Sequence, residues 1–136
     1  RLQTLELADV ELDDVLLDRV RQLTGLRALV LTRVRIGSVT PEALASFGRN
    51  AAIEHLVLRE LERDSVIADL LGDIPTLQVV YLEGPWAGHR AMTSLSKAKR
   101  LEALALVDTE VGNFSLNQIE GLSKLREVEW VGPTFN

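Results

Sequence analysis

The apolar positions of the chain fall into a recurring triplet, L-x-x-L-x-L. Leu2, Leu5 and Leu7 make the first copy. Leu26-Leu29-Leu31, Ile53-Leu56-Leu58, Leu77-Val80-Leu82 and Leu101-Leu104-Leu106 follow, and Leu125-Val128-Trp130 is a weaker sixth. The copies start at 2, 26, 53, 77, 101 and 125, so the intervals are 24, 27, 24, 24 and 24 residues. Self-similarity at one period is the signature of an architecture of stacked units. Within each triplet the last two apolar residues are two apart, the period of a strand with one face buried. The single long interval has a local cause: residues Gly48 to Ala52 supply three extra residues between a helix-like segment and the third strand.

The stretch after each strand repeats as well. A second apolar pair comes first, Val10 with Leu12 and Val34 with Ile36, then Val111 alone in the fifth copy. Short stripes with helical spacing come next. They read Val15, Leu16, Val20, Leu23 in the first copy and Val66, Ile67, Leu70, Leu71, Ile74 in the third. The fourth reads Ala91, Met92, Leu95, Ala98 and the fifth Phe114, Leu116, Ile119, Leu122. Apolar residues at i, i+3 and i+4 over two turns predict short amphipathic helices. Their starts carry capping chemistry. Thr40-Pro41 offers an N-cap with proline at the first helical position. Ser115 and Gln118 have capping-box spacing. Asp64-Ser65 opens the third helix, and Asp13-Asp14 suits the positive end of the first. Arg63 stands where the other copies have Leu12, Ile36 and Val111. Either its stem packs while its head reaches solvent, or a local bulge begins the third helix there.

Each copy is therefore one strand, one loop and one short helix. This pattern resembles the leucine-rich repeat family, and the resemblance covers the whole chain as a single domain, residues 1–136. It implies an α/β fold: a right-handed leucine-rich-repeat solenoid with a parallel sheet on the concave side and short helices on the convex side. The tail Thr109-Glu110-Val111 is similar to bacterial repeat arrays with T-x-V turns. The repeat region of intracellular immune receptors is a second likeness. The family often places Asn or Cys three residues beyond the last core leucine. This chain has Val10, Val34, Leu61, Pro85, Thr109 and Pro133 there, so an asparagine ladder is missing and apolar packing is expected to substitute. Terminal units of such arrays normally carry polar caps. The first strand has nothing before it, and only Trp130 and Phe135 add bulk to the last copy. With no initiator methionine at Arg1, the chain reads as a piece of a longer protein.

Composition narrows the function. There is no Cys, so disulfide scaffolds, thiolate metal sites and thiol catalysis fall away. Extracellular members of the family often have disulfide-bearing caps, so the lack of Cys favours an intracellular setting. The net charge of −5 gives no basic footprint for nucleic acid. Only Lys97, Lys99 and Arg100 cluster, at a helix end that favours cations. No apolar run reaches the length of a membrane span, and no basic amphipathic segment suits a membrane surface. His55 and His89 come without a nucleophile elbow, a phosphate loop or a zinc-binding helix. The chain is thus expected to be non-enzymatic, with no cofactor, no metal, no nucleic acid and no membrane partner.

The candidate site is the face of the sheet that no helix covers. Side chains between the core leucines point to it, because they alternate along a strand. Val30, Val57, Tyr81 and Ala105 are expected in its central column, with His55 and Val79 before it and Arg59, Glu83 and Val107 after it. Trp86, in the following loop, either extends it at the lip or packs into the core or loop. An apolar centre with a charged border suits a protein or peptide partner, with Tyr81 as the anchor. The alternative is a structural segment whose concave face packs on its own parent protein or on a second copy.

Overall fold

The computed structural model describes residues 1–132; Pro133 and Phe135 lie outside them. The chain runs β1 (Thr4–Ala8), β2 (Glu11–Leu12), α1 (Asp14–Arg21), β3 (Ala28–Thr32), β4 (Arg35–Ile36), α2 (Pro41–Asn50) and β5 (His55–Arg59). A 3₁₀ turn over Val66–Asp69 leads into α3 (Leu70–Asp73), followed by β6 (Val79–Glu83), α4 (His89–Leu95) and β7 (Ala103–Val107). Then come α5 (Asn113–Leu116), a second 3₁₀ turn (Asn117–Ile119) and β8 (Glu127–Val131). Among the described residues the fold is α/β, with a six-stranded parallel sheet in the order β1-β3-β5-β6-β7-β8. The apolar triplets lie in lateral register. Leu5, Leu29, Leu56, Val80, Leu104 and Val128 are paired strand to strand, and so are Leu7, Leu31, Leu58, Leu82, Leu106 and Trp130.

Alternation along the strands divides the sheet into two faces. In the middle strands Leu56, Leu58, Leu82 and Leu106 are fully buried and share one core with the helix residues Leu70, Leu71, Met92 and Leu95. Burying a leucine contributes about 1.5–3 kcal/mol, so these rows hold the sheet to the helices. The other face carries no helix. Burial fades at the last strand, where Val128 is 46% exposed, although Trp130 still packs against the core with a buried Nε1 that has no acceptor among the described residues.

Two main-chain patterns recur at the strand ends. At the starts, one carbonyl accepts from two successive amides of the next strand: Gln3 from Arg27 and Ala28, Arg27 from Glu54 and His55, Glu54 from Gln78 and Val79, at 2.8–3.1 Å. Past the ends, Asp9, Arg33, Glu60 and Asp108 sit at φ between +50° and +58°, with Gly84 at +113° and Gly132 at +108°. A left-handed conformation costs a non-glycine residue about 1–2 kcal/mol. Here it turns the amide sideways. Asp9, Arg33, Glu60, Gly84 and Asp108 each donate to the carbonyl of the last residue of the adjacent strand, at 2.8–3.0 Å. One residue later, where an asparagine ladder is missing, Val34 and Leu61 are buried and Val10 packs against the core, so apolar packing does stand in there, while Pro85 stays exposed.

The helices partly follow the expected stripes. Asp13 Oδ1 accepts from Leu16 N at 2.8 Å, Thr40 Oγ1 from Ala43 N at 3.1 Å and Ser65 Oγ from Ile67 N at 3.2 Å, so these three caps stand where the sequence places them. Ser115 does not cap. It lies inside α5, which begins two residues earlier, after Gly112. In consequence Phe114 is 72% exposed and leaves the expected stripe. In α1 the buried residues are Leu17 and Val20, while Val15 is 64% exposed. The three extra residues of the long interval do not form a linker. They lengthen α2, which continues to Asn50.

Arg63 takes neither a strand position nor a core position. Asp64 turns the chain at φ +56°, and Arg63 is exposed, with Nη1 2.9 Å from Glu110 Oε2. The short pairing of β2 with β4 therefore stops at β4, where Glu62 Oε1 accepts from Ile36 N at 2.9 Å.

Candidate interaction surface

Sheet register arranges the open face in three rows. The central row is Glu6, Val30, Val57, Tyr81, Ala105 and Glu129. On one side His55 pairs with Val79, between Ala28 and Ala103; on the other Arg59 pairs with Glu83, between Thr32 and Val107. Nine of the expected site residues are brought together here: Val30, His55, Val57, Arg59, Val79, Tyr81, Glu83, Ala105 and Val107. All are half-buried except His55, which is exposed.

Trp86 is the exception: it takes the core alternative and leaves the candidate site. It is only 6% exposed and belongs to the core, with Nε1 donating to the Glu83 carbonyl at 2.7 Å. Aligned by repeat position, Trp86 corresponds to Glu11, Arg35, Glu62 and Glu110, which all stay outside the core. In the fourth copy Trp86 is buried together with Ala87, which stands in the place of Leu12 and Val111. Gly84 adopts a φ no other turn residue of the row approaches except Gly132, and Pro85 is left exposed while Trp86 turns inward. A Cβ on Gly84 would stand 3.1 Å from Trp86 Cδ1, so the bare glycine also makes room for the indole.

Tyr81 is held in place at the middle of the face. Its hydroxyl donates to Glu83 Oε1 at 2.6 Å, and the Arg59 guanidinium lies 5.2 Å from its ring centroid. Arg59 Nε is 3.7 Å from the same carboxylate oxygen. An aromatic ring fixed before a partner arrives loses less freedom on binding. The hydrogen bond to Glu83 raises the pKa of the Tyr81 phenol above its ordinary 10, and burial adds to the shift. Tyr81 is the only tyrosine of the chain, so an ultraviolet titration reads it directly. Ionisation is expected above pH 10, moving back down in Glu83→Gln. Because the folded value is raised, the stabilisation is complete below pH 10 and lost as pH rises through the folded value.

The row of left-handed turns beside this face was missed in the sequence, although its signal was present. Each of its residues stands seven positions after the start of a triplet, and each is Asp, Arg, Glu or Gly. One pair of their side chains meets across copies. Arg33 donates twice to Asp9, at 2.6 and 2.9 Å, which holds the Asp9 carboxyl below the usual carboxylate range.

The histidines lie apart. His55 is on the open face. His89, at the start of α4, stacks on Phe114 at 6.2 Å and has Nδ1 3.3 Å from Ser115 Oγ. Ser115 is itself buried within α5. Among the described residues no group of three or more His, Asp or Glu side chains is placed to hold a metal ion, and no helix is long and apolar enough to cross a membrane. The structure thus defines an α/β protein with a parallel sheet covered by helices on one face and bare on the other. No protein-family model matches the chain, and a search of curated proteins returns no match.

Proposed function

We propose that the chain is a leucine-rich-repeat domain that works as a protein-interaction module. On this reading it is a right-handed solenoid whose sheet lines the concave side and receives a protein or peptide, with no catalytic step of its own. The observation that carries the reading is the position of Tyr81. It sits at the centre of an apolar row on a bare sheet face, pinned by Arg59 and Glu83. Aromatic residues fixed at the middle of a patch with a polar rim dominate binding energy in protein interfaces. The triplets in register at 24- and 27-residue spacing support the repeat reading.

The test is Tyr81→Ala combined with Val57→Asp. Both side chains are half-buried on the open face, so the double variant is expected to keep the fold. Proteins retained by the immobilised wild-type chain are expected to be lost. Retention of the same proteins by a folded double variant would remove this face from the function. The apolar row also suits the second reading, a structural face covered by the parent protein or by another copy. A concentration-dependent dimer in sedimentation, abolished by Tyr81→Asp, would favour that reading.

A further inference from the structure

The charge of the molecule is unevenly placed. The three rows of the open face and the adjoining row of left-handed turns hold seven carboxylates: Glu6, Glu83, Glu127 and Glu129 on the strands, with Asp9, Glu60 and Asp108 in the turns. The same four rows hold two guanidiniums, Arg33 and Arg59, a net charge of −5. That equals the net charge of the whole chain, because the remaining thirteen carboxylates are matched by thirteen cations elsewhere. Both guanidiniums are already engaged, Arg33 by Asp9 and Arg59 by Glu83. Glu6, Glu60, Asp108, Glu127 and Glu129 have no cation within ion-pair distance among the described residues.

Resting on the interaction reading above, we infer that the open face takes an extended polypeptide segment with an apolar centre and a cationic residue at each end. The central row fixes the spacing. Glu6 and Glu129 stand at its two ends, with Val30, Val57, Tyr81 and Ala105 between them. Neighbouring strands are about 4.8 Å apart, so the row spans roughly 24 Å. An extended chain advances about 3.3 Å per residue and its side chains alternate between two faces, so cations that meet both carboxylates are separated by about eight residues, the nearest sufficient even spacing. Complementary charge at the rim sets orientation and partner choice, while the apolar middle supplies affinity. A polyanion such as nucleic acid is repelled by the same rim.

The probe is a blocked, dye-labelled synthetic peptide of about nine residues, with lysine at each end and serine and valine alternating between, so that the valines and both lysines share one face. Its control carries glutamate in place of both lysines. Titration of the full chain by fluorescence anisotropy is expected to show binding of the lysine peptide alone, weakening as salt rises from roughly 0.05 to 0.5 M. Glu6→Gln with Glu129→Gln is expected to weaken it about three- to ten-fold at low salt. Tyr81→Ala is expected to abolish it. Equal binding of the two peptides, both lost in Tyr81→Ala, would overturn the charge inference and leave the docking face standing. Binding of neither peptide, or an unchanged affinity in the glutamine variant, would overturn it outright. Failure of the interaction reading itself shows separately, as unchanged protein retention in the Tyr81 and Val57 double variant.

Discussion

Trp86→Ala is expected to lower the stability of the fold by about 3–5 kcal/mol, the range for removing a large aromatic side chain from a core. The indole is almost fully buried and donates its one polar hydrogen to the Glu83 carbonyl, so truncation removes both packing and a hydrogen bond. Trp86→Phe separates the two. It keeps much of the bulk and removes only the indole hydrogen bond; the Glu83 carbonyl still accepts from Glu60 N, so the cost is about 0.5–1.5 kcal/mol. Urea unfolding checks both variants: the midpoint should fall while the slope stays constant. A folded Trp86→Phe variant should also retain whatever the wild-type open face retains. If Trp86→Ala leaves the midpoint unchanged but abolishes retention, the indole is a contact residue and its burial here is misplaced.

Trp86 also shows where sequence reading reaches its limit. The periodic triplet puts Leu56, Val80 and Leu104 side by side, and it puts Val57, Tyr81 and Ala105 on the opposite face. Those placements depend only on strand alternation, which is rigid. The nine open-face residues were legible for that reason. Trp86 depends on the backbone at Gly84, whose φ of +113° departs from the +50° to +58° of the non-glycine turns in the row. The spacing of apolar residues carries no trace of that turn. The short helices fail in a related way. Val15, Leu16 and Leu17 are consecutive and apolar, so two turns do not decide which of them faces inward. The structure buries Leu17 and exposes Val15. The phase of α5 was misjudged because Ser115 has the spacing of a cap but lies inside the helix.

The pairing of Arg59 with Glu83 and of Arg33 with Asp9 was only half visible. Register places Arg59 beside Glu83, yet the hydrogen bond that ties Tyr81 to the same carboxylate depends on rotamers. Arg33 meets Asp9 because both occupy left-handed turns one copy apart. Exposed pairs of this kind contribute about 0–1 kcal/mol to stability. Their larger effect is on charge. By consuming both guanidiniums in these rows they leave the surrounding carboxylates unopposed.

Leu104→Ala tests whether the register itself holds the molecule together. Leu104 is 2% exposed on β7 and stands between Val80 and Val128 in one lateral row. Its neighbours on both strands are fixed by main-chain pairing, so the cavity left by truncation closes only in part. A loss of about 2–5 kcal/mol is expected, lowering the thermal midpoint by roughly 6–20 °C. Val128→Ala is the matched control. Val128 occupies the same place in its triplet one strand later, but it is nearly half exposed, so its truncation should cost below about 1 kcal/mol. The contrast between the two sites follows from burial, since triplet position is shared. Equal losses at both positions would mean that the last strand is as well covered as β7, and no loss at Leu104 would contradict the inward row of leucines.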